Sequence, residues 1–88
     1  MTKFNKLIEK VLSGTSDSNI EFAELLRLLR HFGFKERLRG SHHIFFKSGI
    51  REIINIQPQG KMAKAYQVKQ IRNIILNYKL RVNDENQI

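Results

Sequence analysis

Residues 34–47 read FKERLRGSHHIFFK, and the fold of the chain turns on how this stretch alternates. Before the glycine, Phe34, Glu36 and Leu38 fall on one side and Lys35, Arg37 and Arg39 on the other, the period of two expected of a half-buried β-strand. Gly40-Ser41 breaks the alternation and His42 to Lys47 resumes a β-prone run, so the two runs pair as an antiparallel hairpin across a two-residue turn. Ser48-Gly49 offers another tight turn, and Arg51 to Gln57 reads as a third, isoleucine-rich strand that Pro58 ends. A three-stranded antiparallel meander is therefore expected.

Helical spacing flanks this sheet. Phe22, Leu25, Leu26, Leu29 and Phe32 form an apolar stripe, with Gly33 placed where a helix commonly turns left-handed and stops. Ser18 and Glu21 have the spacing of a capping box, although a start one or two residues later fits as well. Beyond the loop 59–64, Val68, Ile71, Ile75 and Tyr78 predict a closing helix from about Ala65 to Lys79. Phe4, Leu7, Ile8, Val11 and Leu12 predict a further helix from about Thr2 to Ser13, joined to the rest by the polar stretch 13–19. The expected class is α+β: an α-β-β-β-α unit over residues 20–80, with two helices on one face of the sheet. An extra N-terminal helix and linker (1–19) precede it and a tail (81–88) follows. The other sheet face is left open.

The chain has 88 residues, 41% of them hydrophobic and 27% charged, which fits one soluble domain with a modest core. It has no apolar run long enough to cross a bilayer, and its first residues mix charge with hydrophobicity, so a cytoplasmic protein without membrane attachment is expected. Cysteine is absent, which excludes disulfides and thiolate zinc sites. The net charge of +8 is unevenly spread. Between Arg27 and Arg81 lie 13 basic residues against Glu36 and Glu52 alone, a local +11. Such a field suits a polyanion, of which nucleic acid is the commonest; a plain solvated surface is the alternative.

Within that basic stretch, Gly40-Ser41-His42-His43 is the cluster that periodicity does not account for. An imidazole titrates near ~6.5 and can move protons at neutral pH, and Arg37, Arg39 and Lys47 are close enough in sequence to attract a phosphodiester. An ordinary strand with one packed and one solvated histidine would look the same, and spacing alone does not choose. Adjacent strand residues point to opposite faces, so the two imidazoles are not expected to share one phosphate or one metal ion. Phe45, Phe46 and Tyr66 could stack on unpaired bases, but core packing is the favoured reading; by alternation one of Phe45 and Phe46 faces the open side, where an antitoxin could cover it.

Leu28-Leu29-Arg30-His31-Phe32-Gly33-Phe34 followed by Arg39-Gly40-Ser41-His42-His43-Ile44-Phe45 resembles the HicA family of mRNA interferase toxins. The likeness continues through Ile53 to Pro58, Gly60-Lys61, and Val68-Lys69-Gln70-Ile71-Arg72, and covers roughly residues 21–80. It implies a fold like that of double-stranded-RNA-binding domains, endoribonuclease activity on mRNA, and a HicB-type antitoxin as partner; because a base that frees the 2′-hydroxyl needs no metal and no plausible metal site is present in the sequence, cleavage is expected to be metal-independent and without a cofactor. By position, it implies His42 as the catalytic histidine. RNA contacts are expected from Arg37, Arg39, Gly40, Ser41, His43, Lys47, Lys61 and Lys64. A non-catalytic RNA-binding module of the same fold is the alternative, and a protein-interaction domain with an acidic partner is a third.

Overall fold

The computed structural model describes residues 3–81, with side chains from Asn5 onward. Thr2, the side chain of Phe4 and the expected tail from residue 82 lie outside the described residues. The element order is α1 (Lys3–Ser13), a 3₁₀ turn (Asp17–Asn19), α2 (Phe22–His31), β1 (Lys35–Arg39), β2 (His42–Phe46), β3 (Ile54–Ile56) and α3 (Ala65–Asn77). The sheet is antiparallel in the order β1-β2-β3, so the fold is α+β.

Pairing sets the two faces. Glu36 lies opposite Phe45 and Leu38 opposite His43, while Phe45 and His43 lie opposite Ile54 and Ile56. Phe45, Ile54 and Ile56 are buried in one cluster with Leu25, Leu28 and Leu29 of α2 and Val68, Ile71 and Ile75 of α3. The helices thus cover this face of the sheet. Lys35, Arg37, Arg39, His42, Ile44, Phe46 and Asn55 occupy the other, open face. Leu38, on the covered side by alternation, is nonetheless 61% exposed, because it lies on the edge strand and the core cluster does not include it.

The start of α2 is set by pairing with a distant segment, and the ends of α2 and α3 by their own backbone bonds. Ile20 is fully buried and its carbonyl accepts the Ala63 N–H, while Glu21 bridges Met62; this extended pairing delays the start of α2 to Phe22. The capping contact is therefore the Glu21 N–H to Glu24 Oε1 at 3.0 Å, three residues later than the Ser18–Glu21 spacing suggests. At its end, Phe34 N–H donates to the Leu29 carbonyl and Gly33 N–H to that of Arg30, with Gly33 at φ 88°, the pattern of a Schellman motif. α3 ends the same way around Lys79, a non-glycine residue at φ 52°.

β3 is shorter than the run Arg51–Gln57 suggests. After the Lys47–Ile50 turn the chain is drawn out of the ladder toward α3: the Tyr78 hydroxyl accepts the Arg51 N–H at 3.3 Å and donates to Glu52 at 2.7 Å. α1 contributes Leu7 and Val11 to the same core as the sheet. Arg72 of α3 fastens it there, donating to the Val11 carbonyl at 3.2 Å and to Asp17 at 2.8 Å.

Candidate functional site

The turn between β1 and β2 consists of Gly40 and Ser41 alone, since Arg39 and His42 are already paired. Gly40 has φ 60° and Ser41 is not in the left-handed region, the requirement of a type II′ turn with glycine first. His42 is consequently the first residue of β2, on the open face, with Arg39 directly across the ladder. Its Nδ1 lies 2.9 Å from Oδ1 of Asn55 on β3. An amide oxygen only accepts, so Nδ1 carries the proton and the Nε2 lone pair of the neutral ring is left for other work. Beside this pair, Gln57 Nε2 donates to Ser41 Oγ at 2.9 Å and holds the turn against β3.

His43 faces the other way. Its Nδ1–H donates to Glu36 Oε2 at 2.9 Å, and its ring meets the edge of Phe22 at a centroid distance of 5.1 Å. Arg30 completes the group through Nε and Nη2, both on Glu36 Oε1. Burial would raise the Glu36 carboxyl, but the hydrogen bonds and charges of His43 and Arg30 outweigh it and hold the group below its ordinary value. This trio joins α2 to β1 and β2 on the covered side, away from the open-face imidazole.

The remaining expected contact residues divide by position. Arg37, Arg39, Gly40 and Ser41 are exposed on the open face or its turn, and among the described residues neither arginine is in an ion pair. Lys61 and Lys64 belong to the loop that leaves β3 at the His42 end of the sheet: Gln59 and Met62 pair across Gly60-Lys61, and the Lys61 carbonyl accepts the Phe22 N–H. Lys47 is elsewhere. It follows the far end of β2, about 17 Å along the strand from His42. Its ammonium lies against Gly33, 2.9 Å from where a Cβ would stand. The structure therefore brings His42, Arg37, Arg39, Gly40 and Ser41 together on one surface, and keeps His43 and Lys47 apart from them.

A family model described as the HicA toxin of bacterial toxin-antitoxin systems matches residues 22–77. The chain belongs to the HicA family. Membership makes it a toxin of a toxin-antitoxin pair, with an antitoxin as partner. The matched segment runs from the first residue of α2 to the last of α3, so it takes in the whole sheet, the His42 turn and both covering helices, and leaves α1 outside. No curated protein and no solved structure matches the chain. No described helix is long and apolar enough to cross a membrane, and the described residues hold no group of three or more His, Cys, Asp or Glu suited to a metal ion.

Asn55 and Gln57 are the site residues that sequence reading passes over. Their signal lies in Ile54-Asn55-Ile56-Gln57, where buried isoleucines alternate with polar residues that the register brings to the open face beside His42 and Ser41.

Proposed function

We propose that this HicA-family chain is a metal-independent endoribonuclease that cleaves mRNA, with His42 as its general base, and that a HicB-type antitoxin silences it by covering the open sheet face. The observation that carries this reading is the His42–Asn55 hydrogen bond on an exposed face, with Arg39 directly across the ladder and in no ion pair among the described residues. Nε2 takes the proton of a ribose 2′-hydroxyl, the 2′-oxygen attacks the adjacent phosphorus, and the 5′-oxygen leaves and is protonated by solvent. The products are a 2′,3′-cyclic phosphate and a 5′-hydroxyl. Arg39 and Arg37 attract the phosphate, and Arg39 stabilises the charge that grows on it. Gly40, Ser41, Lys61 and Lys64 contact the neighbouring backbone. His43 and Lys47 have no part in this scheme, because His43 is bonded to Glu36 on the covered side and Lys47 follows the far end of β2, beside Gly33.

The test is His42→Ala. The residue is exposed and outside the core, so the variant folds, binds RNA and loses cleavage and growth arrest. Cleavage at the rate of the unaltered chain and at equal protein level overturns the assignment, and RNA binding without cleavage by the unaltered chain leaves a binding module instead. Cleavage also persists in EDTA; loss that a divalent ion restores removes the metal-independent scheme.

A further inference from the structure

The open face carries a second feature beside His42, a pocket of about 280 Å³ lined by Arg37, Ile44, Phe46 and Ile53. Ile44 lies across the ladder from both Arg37 and Asn55, and Asn55 is the residue that holds His42. The pocket is thus contiguous with the proposed base. Ile53 is 63% exposed, and the Arg37 guanidinium stands over the Phe46 ring at 5.7 Å from its centroid. The lining is apolar except for one cation, on a face whose other charges are also positive. A purely apolar occupant leaves those cations unmatched, and a small anion leaves the Phe46 and isoleucine surface wet. An occupant with a flat, uncharged π-face attached to an anionic chain satisfies both at once.

We propose that this pocket is a subsite for one unpaired nucleobase of a single-stranded RNA, flanking the phosphate that His42 addresses. The base packs against Phe46 and Ile53, and Arg37 bridges to the base face or to its phosphate. Alternate residues of a strand stand about 7 Å apart, so the step from His42 to Ile44 to Phe46 is comparable to that between successive nucleotides of an extended strand. A base inside a duplex presents no free face, so the subsite selects unpaired RNA. The inference rests on the nuclease reading only in taking RNA as the ligand and in placing the scissile phosphate.

The experiment uses the full chain and two probes, a nine-nucleotide 2′-O-methyl oligoadenylate, which lacks the attacking hydroxyl, and the same backbone without bases. Fluorescence anisotropy compares the two. The unaltered chain binds the base-bearing probe roughly tenfold more tightly, the effect of one stacked base. In Phe46→Ala and Ile53→Ser this preference disappears while affinity for the abasic backbone stays, which reports an intact fold and intact cations. An unchanged preference in both variants, or none in the unaltered chain, overturns the subsite and leaves the pocket to a protein partner. A parallel assay with unmodified RNA separates the two readings: base preference without cleavage keeps the subsite and removes the nuclease, and cleavage without base preference does the reverse.

Discussion

A histidine serves as a base only if one nitrogen is reliably free, and in the role proposed for His42 that depends on Asn55. The Asn55 oxygen, 2.9 Å from Nδ1, favours the tautomer with the proton on that nitrogen, so in the proposed scheme Asn55 acts through His42 and not on the substrate. Asn55→Ala removes the acceptor and lowers kcat by about tenfold or more while leaving abasic-backbone affinity unchanged. Asn55→Asp restores the acceptor and adds a charge. Because a nearby carboxylate favours the imidazolium, the acid limb of the pH–rate profile moves to higher pH in that variant. A profile that does not move, in a folded Asp variant, shows that position 55 is not coupled to the base. His42 was legible in the sequence because a glycine turn, a histidine and a basic setting are adjacent in the chain. Asn55 was not, because it lies 13 residues away and only the pairing register brings it beside the ring.

Among the elements, periodicity carried most of the order. Three strands and the two covering helices follow from spacings of two and of three to four residues, and the Schellman end at Gly33 follows from glycine itself. The misjudged lengths, at the start of α2 and in β3, come from backbone bonds to distant segments, Ile20 with Ala63 and Arg51 with Tyr78. No local pattern encodes those partners. The joint at Arg30, Glu36 and His43 is of the same kind, and it makes stability depend on acid. The folded Glu36 carboxyl stays ionised to lower pH than the same group in the unfolded chain. Its contribution is complete above the ordinary glutamate value of ~4.3 and is lost as pH falls through the lowered one. Urea denaturation between pH 7 and pH 3 accordingly shows a steeper loss of stability in the unaltered chain than in Glu36→Gln. Parallel curves for the two proteins show that the joint contributes nothing in acid.

On the scale of the whole molecule, the middle of the chain puts Lys35, Arg37 and Arg39 on the open sheet face and Lys61 and Lys64 in the loop at its His42 end, and RNA and antitoxin are proposed to meet there. Both associations therefore slow as salt rises, and Arg37→Glu combined with Arg39→Glu weakens both. Unchanged antitoxin affinity alongside weakened RNA binding shows that the inhibitor docks on another surface. The core also extends beyond the segment that matches the family model. Leu7, Val11 and Ile20 are at most 6% exposed, Arg72 reaches back to Val11 and Asp17, and all of these but Arg72 precede the matched segment. The smallest recognisable piece is then smaller than the smallest piece with a closed core. For a gene of this kind, a recombination joint between Ser13 and Ile20 would hand the recipient the whole open sheet face over a floor that lacks Leu7 and Val11.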